Sequence, residues 1–341
     1  LTTKKYFNEL DELCFLSAQS LPSLKVSKHF QVLKLLGEGS YGKVMLSLHR
    51  KRGTPMALKF FPRKSTSLTS FLREYNLSLA YCTHPSLTRA LGIFFSTPSY
   101  YVFAQQACLY GDLYSVVVSE AGVDEDCVQR VMSQLSGAVT HLHSLGFVHR
   151  DIKPENIFLC DRSCRWVKLG DFGLTRAIGT TVRAVWYESP FCTPEVEPEK
   201  LEDIWVTVQP AIDSWALGVL VYCLLTGCFP WEESTHDDPG YRKYKAWFDR
   251  QAEKDEDEAG CIQEFEGLSP LAMTLLKELL HPDPRQRGSP EEILSYLGGP
   301  WLMETAREEQ RRTEEAEKEA RSIRERGGVE EELLREGRGE R

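Results

Sequence analysis

Between Phe30 and Leu109 short apolar runs alternate with Gly and Pro breaks: Phe30 to Leu36, Val44 to His49, Met56 to Phe61, Gly92 to Phe95 and Tyr100 to Ala104. Runs of this length, rich in β-branched and aromatic residues and bounded by turn residues, predict strands, here of a small antiparallel sheet. One segment inside it, Leu68 to Tyr81, is long and Leu-rich enough for a helix. Beyond Gly111 the periodicity lengthens, and Asp124 to Leu145, Ile212 to Leu225, Ser269 to Leu280 and Pro290 to Tyr296 predict a mainly helical second lobe. Residues 1–29 read as an N-terminal extension, with Leu10, Leu13, Phe15 and Leu16 on one face of a short helix. After Trp301 nearly every residue is Glu, Arg, Lys or small and polar, so 302–341 reads as a charged, solvated helix or a disordered tail. The fold class is α+β: a sheet lobe over about 30–106 and a helical lobe over about 107–301.

Composition fits that division. A chain of 341 residues, 42% hydrophobic and 27% charged, can bury the core of a two-lobed protein. A net charge of -9 argues against a nucleic-acid surface, which needs a concentrated basic face. The longest apolar stretch, Ala216 to Phe229, is too short to span a bilayer and predicts a buried helix, not a membrane span. Ten cysteines lie scattered without a CxxC pair or metal-ligand spacing, which predicts a reduced, cytoplasmic protein. The first residue is Leu1 and not Met, so the chain reads as trimmed and localisation rests on cysteine usage alone.

Gly37, Gly39, Gly42 and Val44 form GxGxxGxV between two predicted strands. Glycines let backbone amides approach phosphate oxygens with no side chain in the way. By itself the motif also fits a turn-rich hairpin or a dinucleotide fingerprint; the latter needs a helix straight after the glycines, whereas strand-like Val44 to Leu48 follows. Lys59 closes Met56-Ala57-Leu58-Lys59 on a later strand, and a lysine with a buried stem there needs an anionic partner. Glu74 on the predicted helix supplies one, and the pair would hold the ammonium on the α and β phosphates. The most specific signal is His149-Arg150-Asp151-Ile152-Lys153-Pro154-Glu155-Asn156 followed by Asp171-Phe172-Gly173. Phosphoryl transfer to a hydroxyl needs a carboxylate to orient the nucleophile and oxygen ligands to hold a divalent metal on the phosphates. Asp151 suits the first role, Asn156 and Asp171 the second, and Lys153 adds positive charge at the transferring group.

Taken together, residues 30–301 resemble the eukaryotic protein kinase superfamily of the serine/threonine type, which implies the bilobal kinase fold, ATP, Mg2+ and a Ser/Thr protein substrate. The resemblance further implies nucleotide contacts from Leu36, Gly37, Glu38, Gly39, Ser40, Tyr41, Gly42 and Val44, and from Ala57, Lys59, Glu74 and Phe158. It puts Phe103 at the gatekeeper position, Ala104 to Gln106 at the adenine hinge and Asp112 on the ribose. It makes Asp213 a buried brace of the catalytic loop, and gives Glu195 in Thr193-Pro194-Glu195 an ion-pair partner in Arg285. Within the superfamily the chain is similar to the Src-homology-three-binding kinase group, by the Glu38 to Lys43 loop and the segment Glu188 to Glu195. No PxxP motif occurs in these residues, which weighs against partner binding through one.

Lys153, two residues after Asp151, resembles serine/threonine and not tyrosine kinases. Leu174 to Pro194 reads as the activation segment, with Thr175, Thr180 and Thr181 as candidate phosphosites for Arg150 to clamp. Two departures from the family stand out. Glu188 replaces the threonine that bridges the catalytic aspartate and lysine, with Ser189 beside it, and the spacing from Lys59 to Glu74 is short. The competing readings are a pseudokinase scaffold and a small-molecule phosphotransferase. The first is opposed by intact Lys59, Glu74, Asp151, Asn156 and Asp171, the second by a helical lobe that continues through Arg285.

Overall fold

The computed structural model describes residues 2–39, 41–117, 122–184, 189–196, 205–253, 260 and 262–336. Helix α1 (Thr2–Ser20) and a single turn α2 (Val26–His29) lead into strands β1 (Phe30–Gly39), β2 (Gly42–His49) and β3 (Pro55–Pro62), helix α3 (Leu68–Ala80), β4 (Ala90–Ser96) and β5 (Tyr100–Gln105). The five strands form one antiparallel sheet in the order β1-β2-β3-β5-β4. Strand β3 sits at its centre, and Met56 to Phe61 are buried on both faces, which is why this stretch reads as continuously apolar apart from Lys59. Prolines fall at its two ends, where a missing amide costs no ladder bond.

Helix α3 begins at Ser67, whose hydroxyl accepts from the Ser70 amide, and buries Phe71, Leu72 and Tyr75 against Phe61, Ala90 and Phe103 of the sheet. Only residues 63–67 separate it from β3, the shortened run that the sequence spacing implied. Its outer side is covered by α1, which is longer than the one short face predicts. Leu10 reaches the main core, Ser17 donates to Asn76 Oδ1 at 3.1 Å, and Asn76 Nδ2 lies 3.8 Å from Cys14 Sγ. The predicted face was right for Leu10, while Phe15 and Leu16 are exposed.

The second lobe comprises a short turn α4 (Tyr114–Val117), α5 (Glu125–Ser144), the strand pairs β6 (Phe147–Val148) with β9 (Arg176–Ala177), β7 (Ile157–Leu159) with β8 (Val167–Leu169), and β10 (Thr181–Arg183) with β11 (Trp205–Thr207). Helices α6 (Ala211–Thr226), α7 (Pro239–Glu253), α8 (Pro270–Leu279) and α9 (Glu304–Glu336) complete it. Helix α6 is apolar on every side and buried from Asp213 to Leu225, as expected of a central core helix, and ends at Gly227 in the left-handed conformation. Helix α7 went unread in the sequence, although Tyr241, Tyr244, Trp247 and Phe248 mark its inner face at helical spacing. Helix α9 is mostly exposed along its described side chains. No helix among the described residues is long and apolar enough to cross a membrane.

Candidate active site

Two loops are bolted together by one histidine. His149 is fully buried; its Nδ1 accepts from the Asp151 amide at 3.1 Å, so Nε2 carries the proton and donates to the Gly170 carbonyl at 2.9 Å. The loop carrying Asp151 is thereby fixed to the strand end that carries Asp171, and the Phe172 ring packs edge-on against His149. Asp213, in the first turn of α6 where a helix favours negative charge, accepts from the His149 and Arg150 amides at 2.9 Å each and contacts His143 Nε2 at 2.8 Å. Burial pushes its carboxyl up, but the hydrogen bond from His143 and the nearby His149 hold it below the usual carboxylate value. The brace expected of Asp213 is thus made through backbone amides. Arg150 and Asp171 both take positive φ, of 71° and 57°, strain that the surrounding bonds hold in place.

A cleft of about 870 Å³ opens between the lobes. Its roof is Leu36 to Gly39, Tyr41 and Val44; its inner wall is Ala57 and Lys59; its floor is Asp151, Lys153, Asn156, Phe158 and Asp171; Asp112 stands at the mouth. Ser40 lies outside the described residues. Gly42 does not line the cleft; at φ 137° it turns β1 into β2, and a Cβ there would collide with the Phe60 carbonyl. Lys59 Nζ is 2.5 Å from Glu74 Oε1 and 3.7 Å from Asp171 Oδ1. Burial works against its charge, yet Asp171 and Glu74 together hold the ammonium well above its ordinary pKa. Glu74 sits behind Lys59 and not on the cleft wall; burial raises its carboxyl pKa against the pull of Lys59. Burial likewise pushes up the pKa of Asp151, opposed by Lys153 and His149. Asp171 stays below the usual range despite burial because Lys59 faces it and the Gly173 amide donates to it. Asn156 Nδ2 is spent on Asp151, at 2.8 Å from its carbonyl and 3.0 Å from its carboxylate, which leaves the amide oxygen for the cleft. Lys153 Nζ stands 3.6 Å from Asp151 Oδ1.

One side chain occupies the space the glycines frame. The Tyr41 ring runs beneath them, so that a Cβ on Gly39 would meet it at 2.9 Å, and Lys59 Nζ lies 4.6 Å from its centroid. Below Asp151 a second hollow of about 390 Å³ is lined by Asp151, Lys153, Leu174, Ser189, Phe191 and Phe229, among others. Asp151 and Lys153 belong to both spaces.

The chain matches the family described as protein kinase domain over residues 30–301. It belongs to the protein kinase family. It is 42% identical over 323 residues to the serine/threonine-protein kinase SBK2 of Rattus norvegicus, an alignment covering 94% of this chain and 86% of that protein. It is 39% identical over 296 residues to the serine/threonine-protein kinase SBK1 of Danio rerio, covering 86% and 75%, and 31% identical over 283 residues to the serine/threonine-protein kinase meng-po of Drosophila melanogaster, covering 83% and 60%. Within the protein kinase family the chain falls in the SBK group that its glycine loop and Glu188 to Glu195 segment suggested.

Three expectations need correction in this kinase. Phe103 and Ala104 do not reach the cleft; both are buried, Phe103 among Phe61, Phe71 and Tyr75, and Ala104 in the cluster with Phe30 and Phe95. Gln105 and Gln106, the rest of the expected hinge stretch, do line the cleft, and Cys108 joins them. Lys59 pairs with Phe103 and Leu58 with Ala104, so Phe103 shares the face of Lys59 but its ring is taken up by Phe61, Phe71 and Tyr75, while Ala104 turns to the opposite face. The partner of Glu195 is Arg287, not Arg285: two bonds of 2.9 Å join Arg287 to the Glu195 carboxylate, while exposed Arg285 pairs with Asp283. Thr175 is buried and donates to the His149 carbonyl at 3.3 Å, which removes it as an accessible phosphosite; Thr180 donates to the Ala177 carbonyl, and Thr181 is exposed on β10. Glu188 lies outside the described residues. Ser189 Oγ accepts from the Phe191 amide at 3.2 Å. Arg176 is held down to about 10 by burial and by the charges of Arg73 and Arg150, so three guanidinium groups gather beside the activation segment.

Proposed function

We propose that this kinase transfers the γ-phosphoryl group of ATP to Ser and Thr hydroxyls of proteins, with Mg2+. The observation that carries the reading is the position of Asp151 at the junction of two spaces, one under the glycine loop with Lys59 and Asp171, the other lined by the activation segment. A hydroxyl entering from the second space meets the Asp151 carboxylate, which orients it and accepts its proton. Lys153, on the same loop, offers charge to the group in transit, and Lys59, charged and braced by Glu74, receives the phosphates. The adenine would lie against Gln105 to Cys108, with Ala57, Val44 and Phe158 around it and Asp112 near the ribose.

The donor set fits magnesium. Asp171 offers an ionised carboxylate and Asn156 a free amide oxygen, and Mg2+ favours one or two protein oxygens completed by phosphate and water. When bound, the metal would neutralise charge on the phosphates. Serine/threonine specificity rests on Lys153 and on the names of the relatives. Thr181, exposed on β10, is the candidate phosphosite open to modification, and loop phosphorylation there is the proposed activating input. The cysteines described, from Cys14 to Cys228, are all free thiols, which supports a reduced, cytoplasmic setting.

The test is a peptide array with Ser, Thr or Tyr as sole acceptor, labelled ATP and Mg2+: label on Ser and Thr peptides supports the proposal, and label confined to Tyr overturns the substrate class. One observation favours the rival scaffold reading, namely the Tyr41 ring beneath the glycines. Nucleotide binding with no label on any acceptor would decide for it.

A further inference from the structure

The hinge wall carries a chemistry that phosphoryl transfer does not use. Cys108, on the cleft side, and Cys160, at the end of β7, hold their Sγ atoms 3.2 Å apart, both half-buried. The segment between is already laced to β7: the Tyr110 amide donates to the Leu159 carbonyl at 3.3 Å, Leu159 to Gly111 at 2.9 Å, and Leu113 to Ile157 at 2.8 Å. Forming a bond of about 2.05 Å from that separation asks for roughly one ångström of movement at the end of an existing ladder. A cation sits beside the pair. Lys168 is buried, and among the described residues its ammonium is held by neutral groups, the Pro85 carbonyl at 2.8 Å, Gln106 Oε1 at 2.9 Å, the Leu87 carbonyl at 3.5 Å and the Trp166 ring at 4.8 Å. Its charge acts on both sulfurs. The hydrogen bond from Cys108, and then Lys168, hold the Cys160 thiol below its ordinary value against burial.

We propose that Cys108 and Cys160 are a peroxide-sensitive dithiol whose disulfide clamps the hinge wall to β7. The Cys160 thiol loses its proton to solvent, and its sulfur attacks one peroxide oxygen. The O–O bond breaks, and Cys160 becomes a sulfenic acid while the expelled hydroxide takes up a proton from solvent as the first water. The Cys108 sulfur then attacks the Cys160 sulfur, the S–O bond breaks, and the departing hydroxide takes the Cys108 proton as a second water. Two thiols and one hydrogen peroxide thus give one disulfide and two waters. A second thiol pair, Cys127 with Cys164, has Arg130 in the place of Lys168, but both residues are buried beyond easy access to peroxide. The clamp lies on the wall assigned above to the adenine, yet its formation does not depend on that assignment.

The experiment treats the full chain with equimolar hydrogen peroxide and maps disulfides by non-reducing peptide mass spectrometry, alongside hydrogen exchange. The expected result is a Cys108–Cys160 cross-linked peptide, removed by dithiothreitol, with slower amide exchange over residues 109–113 in the oxidised protein. In C160S, Cys108 stays a thiol at the same dose. A Cys127–Cys164 bond forming first, over-oxidation of Cys160 without a cross-link, or unchanged exchange in cross-linked protein would each overturn the proposal. The comparison of oxidised with reduced wild type needs no variant, so a poorly folded C160S leaves it standing.

Discussion

Arg287→Ala against Arg285→Ala separates the two arginines that the sequence could not. The Arg287 side chain is 0% exposed, and its guanidinium makes four bonds of 2.9 Å: two to the Glu195 carboxylate, one to the His281 carbonyl and one to the Ala211 carbonyl. It also lies 4.9 Å over the Trp215 ring. Truncation leaves a carboxylate and two carbonyls without their donor, and removing one partner of a buried ion pair costs about 3–5 kcal/mol. Against a total stability of about 5–15 kcal/mol, that is a large share. Arg285, 87% exposed at its side chain, is bonded among the described residues to neighbouring Asp283, so solvent replaces what is lost. Urea unfolding followed by tryptophan fluorescence should show Arg287→Ala with a midpoint far below wild type and Arg285→Ala within error of it. Arg287→Lys should fall between, since a point charge cannot reproduce the fork. A larger loss from Arg285→Ala, or none from Arg287→Ala, would refute the packing argument.

Other outcomes follow from the same geometry. Lys59→Met should reduce the rise in melting temperature that ATP gives, because the phosphates lose a buried ammonium on the inner wall; an unchanged rise contradicts the contact. Tyr41→Ala should tighten ATP binding in a fluorescence titration by clearing the space beneath the glycines, and weaker binding would mean that the ring assists the nucleotide. Asp213, held below its unfolded value near 3.9, binds fewer protons folded than unfolded; its contribution is present above that value and is lost as pH falls through the lower folded one. Asp213→Asn should therefore flatten the acid limb of a stability-against-pH curve, and an unaltered limb would remove Asp213 as its source.

What the sequence made legible was what chemistry confines to one residue type in one order. The string from His149 to Asn156 and Asp171 admits few substitutes, and the structure brings Asp151, Lys153, Asn156 and Asp171 to one floor. Lys59 and Glu74 could be matched because a buried cation on a central strand demands an anion from the nearest helix. Register was harder. A run ending Phe103-Ala104-Gln105-Gln106 looks the same wherever the chain turns outward, and only pairing with β3 shows that Phe103 faces α3. Arg285 and Arg287 share a loop, and no local pattern tells which is swallowed by Glu195 and Trp215. The Cys108 and Cys160 contact joins positions far apart in the chain through the bonds between residues 110–113 and β7, so spacing rules for cysteines had no purchase on it.

The central claim is that Asp151 faces both the phosphates and the incoming hydroxyl. Phosphate incorporation from labelled ATP and Mg2+ by wild type and Asp151→Asn, each first checked for equal ATP binding, tests it most directly. The account predicts incorporation by wild type and its loss in the variant with binding retained; equal incorporation by both proteins would contradict it.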